Sequence, residues 1–119
     1  MGDSADARLR FAVCTKSGIL VDQHFGHAEM LSIYEYEGGA IQKVEVRPVR
    51  PYCSGADECD ADGRIQGILD ALADCVCVIC MRIGPDPTDR LVSRGIGVVI
   101  ACDLIETAIK EAAKQYAAS

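Results

Sequence analysis

The sequence predicts an α/β fold: a mixed sheet of about five strands flanked by helices. Three observations carry the prediction. A short apolar run, Leu9 to Cys14, precedes two alternating segments joined by Gly38-Gly39, which reads as a strand and then a hairpin. The second half alternates amphipathic segments with the apolar runs Val76 to Met81 and Ile96 to Ala101. Crossovers of that kind imply parallel strands. The chain has 119 residues, about one domain's worth, with no internal repeat or low-complexity tract.

Residues 1–8 read as a polar tail, and residues 9–119 as a single domain. Leu9 to Cys14 has a β-branched centre and is the first strand. Thr15 to Gly18 is a turn, marked by Ser17-Gly18. Ile19 to Phe25 is a short extended piece leading into a loop. Leu31 to Glu37 alternates and carries Ile33, Tyr34 and Tyr36, so it is a strand. Ala40 to Val49 returns as its hairpin partner, ended by Pro48 and Pro51, which cannot donate to a ladder.

Tyr52 to Gly63 is a loop rich in Gly, Asp and Cys. Arg64 to Ala73 carries Ile65, Ile68, Leu69 and Leu72 at i, i+3, i+4 and i+7, the spacing of an amphipathic helix. Asp60 and Asp62 place negative charge where a helix N-terminus favours it. Val76 to Met81 is continuously apolar, as in a strand buried on both faces. Pro87 to Arg94 reads as a helix with Asp86 as cap, Pro87 in first position and Gly95 as the stop. Ile96 to Ala101 is expected to be a second buried strand. Asp103 is expected to cap a last helix, Leu104 to Tyr116, with Ile105, Ala108, Ile109, Ala112 and Tyr116 on one face.

Composition excludes some functions. The formal net charge is −6, opposite in sign to the footprint of a general nucleic-acid binder. No apolar run approaches the roughly 20 residues that span a membrane. The first ten residues have no apolar signal core, so the expected compartment is the cytoplasm. There thiols stay reduced. Seven cysteines are an odd number, and a closed disulfide framework would leave one over. Metal chemistry, redox chemistry and small apolar packing are the open uses.

Cys77-x2-Cys80 has a metal-pair spacing but lies within a strand. Side chains alternate along a strand, so the two thiols face opposite ways. Cys75 and Cys77 share a parity and read as packing residues. Cys80, Cys14 and Cys102 each end a strand, and parallel strands would gather them at one sheet edge, where open α/β sheets place ligands. His24 and His27 are the only histidines. They stand three apart in a loop broken by Gly26, on the same edge, so both rings can reach one site as metal ligands. The bland alternative is one histidine bonding the loop backbone. Cys53 and Cys59 bracket a Gly- and acid-containing loop with no packing signal, where thiols are ligating or reactive. A disulfide between them, or a zinc site made with the two histidines, is also open.

These residues resemble a known family. Val21 to Ala28, with His24-Phe25-Gly26-His27, is similar to the signature loop of the dinitrogenase iron–molybdenum cofactor biosynthesis family. The family includes NifX, NafY and the C-terminal domain of NifB. Ile33-Tyr34-Glu35, Tyr52-Cys53-x-Gly55-x3-Cys59, Cys80-x2-Ile83-Gly84 and Gly95-Ile96 fit its pattern as well. The resemblance covers residues 9–116. It implies a ribonuclease H-like fold and a non-catalytic role in binding, carrying or storing an iron–sulfur or molybdenum-containing cluster. It makes His24, His27, Cys53, Cys59 and Cys80 the candidate cluster-binding residues. It also implies partner proteins that donate and accept the cluster. The radical-SAM domain of NifB and its Cys-x3-Cys-x2-Cys motif are lacking, so building a cluster by radical chemistry is not expected.

Thiolates suit iron and sulfur-rich clusters, and imidazole can bind a terminal iron. An acidic surface disfavours an anionic cluster, which Arg82, Arg47 and Arg50 are placed to offset. The rival expectations are an interaction domain stabilised by zinc or a disulfide, and a thiol redox protein using Cys53 and Cys59.

Overall fold

Phe11, Ala12 and Val13 are fully buried although their side chains alternate in direction. Such a strand belongs inside a sheet covered on both faces. In the computed structural model, which describes residues 8–49 and 61–117 (side chains at 61–64 and 117 excepted), β1 (Leu9–Val13) is the middle strand of five. β2 (Met30–Glu37) pairs with it antiparallel, Leu9 opposite Tyr36. β3 (Ala40–Pro48) continues the hairpin outward. On the other side come β4 (Cys77–Cys80) and β5 (Gly97–Ile100), both parallel to β1. The order is β3-β2-β1-β4-β5, the mixed five-stranded α/β sheet that the sequence predicts. Gly38 and Gly39 both have positive φ, 60° and 90°, as a two-residue hairpin turn requires.

Two apolar layers cover the sheet. One holds Ala12, Cys14, Ile33, Val78 and Cys80 against Ile65 and Ile68 of α1 (Ala61–Ala71), Leu72 in the turn that follows it, and Leu91 of α2 (Pro85–Ser93). The other sets Phe11, Val13, Cys77 and Ile79 against Ile105, Ile109 and Ala112 of α3 (Ile105–Ala117). The helices thus lie on both faces, and their apolar stripes are those the periodicity marks. No helix is long and apolar enough to cross a membrane among the described residues.

Four local expectations are corrected. β5 is an edge strand and only partly buried, with Ile100 60% exposed. A continuous apolar run cannot by itself distinguish an edge from an interior. α2 starts at Pro85 with Gly84 as its cap residue, so Asp86 lies in the first turn and Pro87 is the third helical residue. α3 begins at Ile105; the Asp103 carboxylate accepts from the neighbouring Leu104 N–H, and the Ile105 N–H goes to the Ile19 carbonyl. Cys75 and Cys77 share no face. Cys75 still belongs to the turn ending α1, its N–H bonded to the Leu72 carbonyl, and so it packs in the layer opposite Cys77. The expected tail, the loop with Cys53 and Cys59, and Asp60, Arg50 and Pro51 lie outside the described residues, as does the Asp62 side chain.

Arg47 is not near a free anion site. Its guanidinium bonds Asp74 at 2.6 and 2.9 Å, Glu45 at 2.6 Å and the Ala71 carbonyl at the end of α1 at 2.7 Å. Arg10 adds a second hold on Asp74 at 2.6 Å and bonds Glu35. Arg47 and then Arg10 keep the Asp74 carboxyl well below the usual carboxylate range, against some opposing burial. A depressed folded-state pKa stabilises the fold above the unfolded value of about 4, and this is lost as pH falls through the folded value. Asp74 is half-exposed, so the gain is screened. Asp74→Asn is expected to cost about 1 kcal/mol at pH 7. Its stability should fall less steeply than wild type below pH ~4, read by urea unfolding across pH.

Candidate functional site

The loop after β1 is built around one carboxylate. Asp22 accepts from the Lys16 N–H at 2.7 Å and, more weakly, from Ser17 and Thr15. The Lys16 bond chiefly holds its carboxyl below the ordinary value. Thr15 Oγ1 donates to the Leu20 carbonyl at 2.6 Å. The chain then runs beside the segment that leaves β4. The Met81 N–H bonds the Gln23 carbonyl at 3.1 Å, and the Phe25 N–H bonds the Arg82 carbonyl at 2.8 Å. His24 therefore lies next to Arg82, in a parallel bridge.

Phe25–His27 then makes one 3-10 turn. With three residues per turn, positions i and i+3 eclipse. His24 and His27 accordingly stack, ring centroids 5.3 Å apart and planes 21° from parallel. The turn is pinned from beneath by Phe25 and Ala28, each 1% exposed, while His27 stays exposed and His24 half-buried. Both rings, with Gly26, Arg82, Ile83 and Gly84, line an open cleft of about 200 Å³. His27 also lines a neighbouring cleft of about 310 Å³ with Lys16, Gln23, Glu29 and Met30. The two clefts share one imidazole.

Cys80 lies below this edge and lines neither cleft; it is fully buried. The neighbouring Cys14 thiol and, to a lesser degree, the Arg82 N–H favour the Cys80 thiolate despite burial, and the same pairing with Cys80 raises the Cys14 thiol well above its ordinary value. Cys102 follows β5 at the same edge and is exposed. Cys77 faces the α3 layer while Cys80 faces the α1 and α2 layer, as strand alternation predicts. Burial pushes the Cys75 thiol up to about 12 and the Cys77 thiol up to about 11, so both are inert packing groups at neutral pH.

The structure thus brings His24, His27 and Arg82 together, with Cys80 and Cys14 beneath them. No three His, Cys, Asp or Glu side chains are grouped to hold a metal ion among the described residues. Sequence reasoning missed Lys16, Gln23, Glu29 and Met30. Lys16 alone carried a signal, since it follows β1 at the ligand-bearing edge. A third cleft of about 370 Å³ lies on the α3 face, by Ile19, Tyr34, Leu104 and Glu106, but it holds no histidine or cysteine.

Residues 7–119 match the family model described as dinitrogenase iron-molybdenum cofactor. The chain is 41% identical over 101 residues to the FeMo cofactor biosynthesis protein NifB of Frankia alni, covering 84% of this chain and 20% of that protein. It is 38% identical over 95 residues to NifB of Klebsiella pneumoniae, covering 77% of this chain and 20% of that one. The chain thus spans about a fifth of the length of these relatives. Among solved structures, PH0822 superposes with a TM-score of 0.63 at 23% identity over 86% of this chain and 87% of that one. The apo form of the orange protein from Desulfovibrio gigas gives 0.55 at 18% identity over 92% and 91%. Both show likeness of fold.

Proposed function

The chain belongs to the dinitrogenase iron-molybdenum cofactor family, and from that premise we propose that it binds and carries a metal–sulfur cluster, without catalysing a reaction, at the edge bearing His24 and His27. The observation that carries the reading is the stacked histidine pair beside Arg82 in an open cleft. Two imidazoles on one side of a pinned turn are ready terminal ligands for iron. An open cleft lets a cargo enter and leave.

Charge supports the same place. Sulfide-rich clusters are anionic, and the protein itself is at −6. Arg8, Arg10, Arg47, Arg90, Arg94 and Lys114 are engaged in ion pairs. Arg82 and Lys16 form none among the described residues, and they line the two clefts that share His27. They are the counter-charges of this proposal.

Connectivity supports including Cys53 and Cys59 in the ligand set with His24 and His27. The Val49 N–H bonds the Glu29 carbonyl at 2.9 Å, two residues from His27. Cys53 is four residues further, a span of at most roughly 14 Å. Cys80 serves from beneath, through Arg82. The family match speaks for metal–sulfur chemistry and gives zinc no support. The strand order β3-β2-β1-β4-β5, with its antiparallel hairpin, supports the ribonuclease H-like reading of the fold. Thiolate ligands need a reducing compartment, which supports a cytoplasmic protein served by cluster-donating and cluster-accepting partners.

The test is anaerobic incubation with iron and sulfide, desalting, and analysis of retained iron, acid-labile sulfide and visible absorption. Wild type is expected to emerge coloured, with both elements retained. Arg82→Glu should keep its fold by circular dichroism and retain several-fold less of each. A colourless wild-type protein without sulfide would overturn binding of such a cluster, and an unaffected Arg82→Glu would overturn the electrostatic part.

A further inference from the structure

Cys14 and Cys80 stand outside the proposed ligand set, yet they are placed as a pair. The Cys14 N–H bonds the Ile79 carbonyl at 2.9 Å, which carries the parallel β1–β4 register one step past Val13 and Ile79. Cys14 is thereby the cross-strand neighbour of Cys80. Both side chains fall in the same apolar layer, and both are fully buried. Neighbouring strands lie about 4.8 Å apart. That is within the Cα separation of about 4.4–6.8 Å that a disulfide accepts. Cys75 and Cys77 have no such geometry, since they lie on opposite layers.

We propose that Cys14 and Cys80 form a dithiol that hydroperoxides oxidise to a disulfide directly beneath the histidine cleft. Burial selects the oxidant class: a small neutral peroxide can enter through a local opening that a bulky disulfide cannot use. One sulfur attacks a peroxide oxygen and the O–O bond breaks. That sulfur becomes a sulfenic acid, and its proton leaves with the departing oxygen as water. The second sulfur then attacks the first. The S–S bond forms, the S–O bond breaks, and the second thiol proton leaves in a second water. Two thiols give up two electrons, and one hydrogen peroxide becomes two waters.

The bond reaches the cleft through the backbone. Cys80 ends β4 two residues before Arg82, and the Arg82 carbonyl accepts from the Phe25 N–H, between the two histidines. Drawing Cys80 toward Cys14 pulls on that chain of bonds. The oxidation is independent of the cargo reading, and only its effect on cargo retention rests on it.

The experiment uses the reduced full chain without metal. It is treated with hydrogen peroxide, quenched, alkylated in denaturant and digested without reductant. The expected product joins the Cys14 and Cys80 peptides, two hydrogens lighter than the sum, and dithiothreitol dissolves it. A protein carrying Cys53→Ser, Cys59→Ser and Cys102→Ser should form the same link at the same rate. Cys14→Ala should abolish it, and Cys80→Ser gives the same reading if Cys14→Ala does not fold. The His24 and His27 imidazole NMR signals should shift on oxidation and return on reduction. Full alkylation of Cys14 and Cys80 while the exposed Cys102 is oxidised would overturn the proposal. So would a link that appears only as the circular dichroism signal is lost. Unmoved imidazole signals in the linked protein would overturn its coupling to the cleft.

Discussion

Replacing His24 and His27 together by alanine is expected to lower retained iron and sulfide at least about tenfold, with little change in thermal stability. Loss of metal ligands or their immediate supports costs on the order of 10–100-fold in affinity. The fold should survive because the imidazoles make no hydrogen bond or ion pair among the described residues. The turn is tied by main-chain bonds, from Phe25 to Arg82, Met81 to Gln23 and His27 to His24, none of which uses a ring. Ring stacking itself is worth at most about 1 kcal/mol. Each single variant should retain an intermediate amount, because the partner ring keeps its place. Iron and sulfide analysis after anaerobic reconstitution, beside a thermal melt, decides it. A double variant as loaded as wild type would move the cargo away from this edge.

Phe25→Ala should have the opposite profile. Phe25 is 1% exposed and plugs the layer beneath the turn, among Ala28, Leu31 and Cys80. Emptying a buried aromatic site costs about 3–5 kcal/mol. In a domain of this size that lowers Tm by more than about 10 °C. The same change frees the turn that holds both histidines, so cluster retention should fall with stability. Phe25→Leu keeps most of the volume and should cost nearer 1–1.5 kcal/mol while leaving the rings stacked. Urea unfolding separates the two. A Phe25→Ala protein as stable as wild type would show that the turn is not pinned from below.

Much of this was legible in the residues, for local reasons. The alternation of Leu31 to Glu37, the Gly38-Gly39 turn and the stripe Ile65, Ile68, Leu69, Leu72 each lie within a few residues, and periodicity reports them directly. The proximity of His24 and His27 was legible from their spacing and Gly26. Their stacking was not, because a single 3-10 turn leaves no periodic trace. Cys77 and Cys80 could be assigned to opposite faces because both lie inside one strand. Cys75 could not, because counting parity back from the strand ignores the turn that closes α1. The edge position of β5 depends on which strand lies next to it, a fact about other parts of the chain. The pairing of Cys14 with Cys80 required the β1–β4 register, which joins residues more than sixty positions apart.

A set of side-chain fastenings lies at the end of the parallel strands away from the histidines. Asp74, three residues before β4, gathers Arg10 and Arg47 there. Tyr116, near the end of α3, donates to the Val76 carbonyl at 3.2 Å and packs so tightly on Gly97, the first residue of β5, that a Cβ there would collide with its hydroxyl. The histidines, Arg82, Lys16 and the Cys14–Cys80 pair occupy the other end. The charged fastenings and the exposed donors thus lie at different rims of one molecule. The exposed donors can be exchanged, and with them the kind of cargo accepted, while the buried Phe25 beneath them and the fastenings at the far rim keep the scaffold unchanged.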